Sequence, residues 1–217
     1  MKRIFTILSS FLLMASGAFA QKKLTEATIS YDIVINTGSQ RPRAADFFDG
    51  ATSTVYLKGL KSRTEMVSSL GTQATLIDLG AKSVAVLKEY GPQKYIIQMT
   101  PANWKDANRK FEDVQFSYMD DTKTILGYKC KKAIGKLSDG TTFTVWYTLD
   151  LVPENNDFQY VNRSLPGLAM EYESNMGKDL KVTYTVSKIN MSPVPAAKFD
   201  LPKAGFRVLS YDESKGQ

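Results

Sequence analysis

The sequence predicts a mainly β protein of the α+β class, an antiparallel sheet with one or two short helices on one face. Three observations carry this expectation. Apolar and polar residues alternate with period two along much of the chain, so one face of each strand meets a core and the other meets water. Turn residues separate the alternating runs, at Gly59, Gly71, Gly80, Gly91-Pro92 and Asp139-Gly140. Helix signals are confined to two short stretches between strands.

In chain order, residues 1–20 read as a cleavable signal peptide. Lys2-Arg3 is a positive start, Ile4 to Met14 an apolar run, and Ala18-Phe19-Ala20 a small-x-small cleavage site. The apolar run is shorter than the roughly 20 residues that span a bilayer. No cysteine follows it, so a lipid anchor is not expected. The protein is expected in the periplasm or secreted, with residues 21–217 forming one β-rich domain. Ile29, Tyr31, Ile33 and Ile35 open the first strand. Residues 43–49 read as a short helix. Strands are expected over 51–58, 62–68, 73–78, 82–89, 93–99, 123–136, 141–149 and 167–174. Leu180, Val182, Tyr184 and Val186 alternate with Lys181, Thr183, Thr185 and Ser187 in the cleanest strand of all. Thr100-Pro101 is an N-cap followed by proline at the first helical position, and the helix it starts places Trp104, Ala107 and Phe111 on one side. Asp139-Gly140 suits a hairpin turn, Gly127 a bend within a curving strand, and Pro166-Gly167 a strand start. The polar tail from Ser210 is expected to fray.

Composition excludes several functions. Lys2 and Arg3 leave with the signal, so the formal charge falls from +6 to about +4, too little to mark a nucleic-acid binder. Lys129, Lys131 and Lys132 read as a solvated strand face. There is no histidine, which removes His-based triads and His-containing zinc sites together. The single cysteine, Cys130, forms no internal disulfide and reads as a small buried hydrophobe, since Lys129 and Lys131 project to the opposite strand face. No phosphate-binding glycine loop is present. Glu112-Asp113, Asp120-Asp121 and Glu171 with Glu173 are the carboxylate pairs, and each reads as loop or wet strand face rather than as a catalytic pair. Asn162-Arg-Ser and Asn190-Met-Ser match the glycan acceptor pattern. The expectation is therefore a protein that is not an enzyme, without metal or cofactor. Past the signal, no apolar run approaches membrane length, so it is not expected to be an integral membrane protein.

Three segments carry a family resemblance: Lys123-Thr-Ile-Leu-Gly-Tyr-Lys-Cys-Lys-Lys-Ala133, Val145-Trp-Tyr-Thr-Leu-Asp-Leu151 and Ser164-Leu-Pro-Gly-Leu-Ala-Met-Glu-Tyr172. Their order and spacing resemble uncharacterised Gram-negative envelope proteins of the GLPGLI-like group and a related exported domain of unknown function. Phe199-Asp-Leu-Pro-Lys-Ala-Gly-Phe206 resembles the finish of that domain. The broader group is similar to the LolA/LolB-like periplasmic lipoprotein carriers. The resemblance implies a curved antiparallel sheet, an incomplete β-barrel, with short helices on a concave face that holds an acyl chain or another apolar ligand.

The functional expectation is a monomeric periplasmic binding protein for a hydrophobic ligand (a lipid, an acyl chain or a lipoprotein). Candidate cavity-lining residues are Trp104, Phe111, Tyr128, Cys130, Leu168, Met170 and Tyr172. The alternative is an envelope scaffold with a closed core, whose loop Pro153 to Tyr160 offers Phe158 and Tyr160 as exposed anchors for a protein partner.

Overall fold

The structure is a computed structural model that describes residues 21–36, 50–175 and 181–216. The expected signal peptide and the expected helix over 43–49 lie outside the described residues. The chain begins with β1 (Lys22–Leu24) and β2 (Glu26–Asn36), then β3 (Thr52–Lys58), β4 (Lys61–Ser68), β5 (Gly71–Asp78), β6 (Ser83–Tyr90) and β7 (Gln93–Met99). Helix α1 (Pro101–Ala107) and a 3-10 turn at Arg109–Phe111 follow. Then come β8 (Gln115–Ile125), β9 (Tyr128–Lys136), β10 (Thr142–Thr148), β11 (Leu151–Pro153) and a second 3-10 segment at Asp157–Asn162. The chain finishes with β12 (Leu168–Asn175), β13 (Lys181–Asn190), β14 (Arg207–Ser210) and α2 (Tyr211–Ser214).

Twelve of these strands form one open, curved sheet in the order β14-β7-β6-β5-β4-β3-β2-β13-β12-β10-β9-β8. All neighbours are antiparallel except β14, which lies parallel to β7. β1 and β11 form a separate parallel pair. The curvature has a topological cause. β7 and β8 stand ten strand spacings apart, about 48 Å in a flat sheet at about 4.8 Å per spacing. The chain between them is Thr100 to Val114, of which α1 and the 3-10 turn take ten residues. With helical rises for those ten and full extension for the rest, it reaches only about 33 Å. The sheet must bend until this bridge can cross its open side.

Pairing register assigns the two faces. Ile29, Val55, Thr64, Thr75, Val86 and Ile97 stand opposite one another across β2 to β7 and share the inner face. Arg63, Leu76 and Ala85 stand on the outer face. The outer face is not bare. Leu201 and Phe206 pack on Ala74, Leu76, Ala85, Leu87 and Ile96 there. Residues between β13 and β14 thus form a strap across the back of the sheet, held where Lys58 donates to the Val194 carbonyl at 3.0 Å and where Lys198 lies over the Tyr56 ring. This explains why Val84 to Leu87 are all buried: both faces of β6 are covered there. Outside, on β10, Trp146 sits beneath Lys123 at 4.6 Å, and Lys123 is also paired with Glu171 at 2.6 Å.

Several expectations are corrected. Residues 123–136 are two strands rather than one, because Leu126 (φ 49°) and Gly127 (φ 81°) make a two-residue hairpin turn. β8 also begins earlier than expected, at Gln115, where its alternation is masked by acids and an irregular register. The tail does not fray at Ser210, since Ser210 and Glu213 form a capping box that starts α2. α1 is shorter than the expected helix, and Ala107 is exposed; Trp104 and Phe111 face inward. Thr100 caps it as expected, with Asn103 completing the box. Among the described residues, no helix is long and apolar enough to cross a membrane.

Gly135 of β9 lies directly opposite Phe143 of β10, and a Cβ added there would stand 2.3 Å from the Phe143 ring. The ring occupies the space that glycine leaves. Gly135→Ala should therefore push the buried Phe143 ring aside and lower stability by roughly 1–3 kcal/mol, read as a fall in thermal midpoint. An unchanged midpoint would mean the ring moves without cost.

Candidate functional site

The inner face of the sheet and the bridge enclose a cavity of about 400 Å³ that opens to solvent. Its floor includes Ser53 and Met66 from β3 and β4, Phe143 from β10, and Tyr172 and Tyr184 from β12 and β13. Its roof includes Trp104, Phe111, Phe158 and Asn162 from the bridge and the second 3-10 segment. Tyr172 and Tyr184 stack at 4.8 Å with planes 7° apart, and Tyr31 meets Tyr172 edge-on at 6.0 Å. Burial, reinforced by Tyr31 and Tyr184, pushes the Tyr172 phenol well above its ordinary range, so it stays neutral.

The roof is anchored at both ends. On one side Trp104 packs against the cluster of Val86, Ile97 and Leu209, and the Tyr211 hydroxyl of α2 donates to Asp106 of α1 at 2.8 Å. On the other side Glu112 gathers three donor side chains. It accepts from the Tyr160 hydroxyl and from both terminal nitrogens of Arg163, at 3.2 and 3.3 Å, and pairs with Lys105 at 3.4 Å. The Arg163 guanidinium lies 4.1 Å from the Tyr160 ring centre, and Tyr160 meets Trp104 edge-on at 5.7 Å. Desolvation pushes the Glu112 carboxyl up, but hydrogen bonds from Tyr160 and Arg163 and the nearby charges outweigh it, and the group sits below its ordinary range. The carboxylate read in sequence as half of a loop pair is therefore the clamp between the two short roof segments.

Two buried carboxamides hold the second segment in place. Asn155 donates to the Leu60 carbonyl at 3.1 Å and accepts from the Asp157 amide at 2.9 Å. Gln159 donates to the Gly167 carbonyl at 3.3 Å and accepts from the Ala169 amide at 3.2 Å. Sequence reasoning missed this function of the loop, because asparagine and glutamine in a Pro/Asn/Asp-rich stretch read as solvated turn. The consequence is a correction: Phe158 and Tyr160 are half-buried against the core and Trp104 rather than exposed anchors. Asn162 is fully buried, so its acceptor pattern is not a surface glycan site.

Of the residues read from sequence as cavity lining, Trp104, Phe111 and Tyr172 stand on the cavity wall. Cys130, Leu168 and Met170 do not; they are fully buried in a core with Ile29, Leu57 and Leu151, and Tyr128 packs against that core. Alternation put Leu168 and Met170 on the face of Tyr172. A register shift opposite Trp146 and Tyr147 interrupts that alternation between Glu171 and Ala169, and Leu168 pairs with Thr148, two residues beyond the outward Trp146. Burial raises the Cys130 thiol to about 11.

A family described as N-glycanase peptide, N-terminal domain, matches residues 93–211, more than half of the chain. No curated protein matches the sequence. Among solved structures, an uncharacterized conserved protein from Thermus thermophilus is similar at TM-score 0.51 and 11% identity, over 86% of this chain and 91% of that one. PNGF-II is similar at TM-score 0.47 and 14% identity, over 86% of this chain and 31% of that one, so the chain spans about a third of PNGF-II. A LolA superfamily protein from Nitrosomonas europaea is similar at TM-score 0.36 and 12% identity, over 82% of this chain and 91% of that one. The GLPGLI-like group is not shown by these matches.

Two measurements check the site's chemistry. Glu112 has its carboxyl depressed on folding, so its contribution is fully present above the ordinary value of 4.5 and is lost as pH falls through the lower folded value. Glu112→Gln should lower the thermal midpoint at pH 7, with the difference from the parent shrinking as pH falls below about 4. A constant difference across pH would show that the charge is not what holds the roof. Cys130 should resist iodoacetamide at pH 8 in the folded protein and react on unfolding; labelling of the native state would contradict its burial.

Proposed function

We propose, for a chain that belongs to the N-glycanase peptide, N-terminal domain family, that it is an exported, non-enzymatic binding module. It holds a small ligand with an apolar body between the inner sheet face and the α1 bridge. The single observation that carries this reading is the aromatic-walled cavity of about 400 Å³. That size falls within the roughly 300–1,000 Å³ typical of small-molecule sites. Phe111, Phe143, Phe158, Tyr172 and Tyr184 offer apolar area to a guest, at roughly 0.8 kcal/mol per methylene buried. A preformed wall lowers the ordering cost of binding. The expected setting is the periplasm, and the ligand is a lipid, an acyl chain or an acylated molecule. Because the chain spans only part of PNGF-II, no activity of that larger protein is assigned to it.

The carboxylates support the non-enzymatic reading. Glu112 is held in the clamp, Glu171 is tied to Lys123 and Thr185 on the outer face, and Glu173, on the cavity wall, accepts from the Thr144 amide at 3.3 Å. All three are engaged by protein donors.

The test is uptake. Protein purified from cell envelopes should carry a stoichiometric extra mass in native mass spectrometry, and the emptied protein should take up a fluorescent fatty acid. Met66→Trp, which fills the floor of the cavity, should weaken uptake by about tenfold or more while leaving the thermal midpoint within a few degrees. Undiminished uptake by this variant would place the ligand elsewhere.

A further inference from the structure

The opening of the cavity carries one uncommitted positive charge, and from it we infer the head of the ligand: an anionic group, a carboxylate or a phosphate, on the apolar body that the cavity holds. This inference rests on the binding reading above. Apart from the tyrosines, the ionisable residues that line the cavity are Lys110 and Glu173. Glu173 is answered by the protein: it accepts from the Thr144 amide at 3.3 Å and pairs with Lys181 at 3.9 Å. Lys110 has no such answer. Among the described residues it forms no ion pair, and the nearby Glu112 is taken by Tyr160, Arg163 and Lys105. Asp139, in the turn between β9 and β10, feels the Lys110 charge, but the Thr141 amide holds its carboxylate first, at 2.8 Å. What Lys110 does touch is a ring: its ammonium lies 4.5 Å from the centre of Phe111.

The local structure fixes where that ammonium stands. Lys110 is the middle residue of the 3-10 turn Arg109–Phe111 in the bridge. The Phe111 amide closes this turn on the Asn108 carbonyl at 2.8 Å, and the Glu112 clamp follows at the next residue. Lys110 is exposed and yet lines the cavity, so it stands at the opening, and a ligand head meets it with no movement of the roof. The Phe111 ring beneath it belongs to the cavity wall. An apolar chain packed on that ring brings its end to the ammonium. A cation on an exposed aromatic face gains only about 0.5–1 kcal/mol and remains open to an anion. An anionic head held there keeps water on its outer side, so it avoids the cost of burying a charge while the apolar body is buried. A cationic head would meet like charge at the same place, and a neutral head would gain nothing from Lys110.

A fatty acid and a phosphorylated lipid share this chemistry, and one titration series separates them. The full mature protein is titrated by calorimetry with decanoate, decyl phosphate, decanol and decylammonium, each below its micelle concentration. An anion is expected to bind about fivefold tighter than decanol, with decylammonium weaker than decanol. The preference should shrink between about 0.02 M and about 0.3 M salt, because the pair is at the surface. Lys110→Met should lower anion binding to the level that the parent shows for decanol. Lys110→Glu should put decylammonium ahead of decanoate, an inversion that lost packing would not produce. Decanoate ahead of decyl phosphate identifies a fatty acid head, and the reverse order identifies a phosphorylated one. Decanol binding as tightly as both anions overturns the inference and leaves the apolar-ligand reading standing. An anion preference that survives in Lys110→Met, or that salt leaves unchanged, also overturns it; the salt series needs no variant and stands even if Lys110→Met fails to fold. No binding of any probe overturns both readings.

Discussion

A short bridge across a wide sheet is the constraint on which the rest of this structure depends. The strands at its two ends would stand about 48 Å apart if the sheet were flat, and the chain joining them reaches about 33 Å. Neither strand pairing nor burial sets this limit; it is a matter of covalent connectivity. Given the order of strands, a bent sheet is the geometry that lets β7 and β8 belong to one chain with α1 between them. Right-handed strand twist makes bending of this kind natural, and the bridge sets how far it goes.

Bending has two consequences for burial. The inner face is drawn around the bridge, and a cavity remains between them. The outer face is stretched and would leave Leu76, Leu87 and Ile96 in water. The strap that ends in Leu201 and Phe206 covers them. A two-sided core results without a second sheet, and the domain holds together with no disulfide among its described residues. The strap and the bridge also meet the same edge: β14 pairs with β7, and Tyr211 just beyond it holds Asp106 of α1. The two coverings are therefore coupled through one end of the sheet.

Polar groups divide the roof into a part that is settled and a part that is not. Asn155 and Gln159 are satisfied by the protein and fix the second 3-10 segment on β4 and β12. Glu112, Tyr160 and Arg163 join that segment to the bridge by charged hydrogen bonds, which are stronger than neutral ones and screened little where half-buried. Trp104 and Asn162, beside them, retain unused hydrogen-bonding capacity.

Period-two alternation and turn glycines were enough to read most strands of the large sheet within a few residues, because each strand has one face in the core and alternation records that directly. Thr100-Pro101 likewise marked the start of α1 from local chemistry alone. Where both faces are buried, as at Val84 to Leu87, or where acids mask the pattern, as in β8, alternation weakens. Leu126-Gly127 was legible as a break but not as a hairpin turn, since the turn depends on φ values that the residue types permit without requiring. For the cavity, the inward side of α1 was legible, and Trp104, Phe111 and Tyr172 stand on the wall. Alternation could not show the register shift that separates Tyr172 from Met170 and Leu168, because a bulge is defined against the partner strand, here β10. The clamp on Glu112 joins residues about fifty positions apart, and the unpaired Asn162 is defined by partners it lacks. The sequence by itself determined the class of fold and the faces of most of its strands, and its lack of histidine removes His-based chemistry. The tertiary structure alone decided which end of the inner face is packed and which is hollow, because that depends on where a chain too short to lie flat must cross.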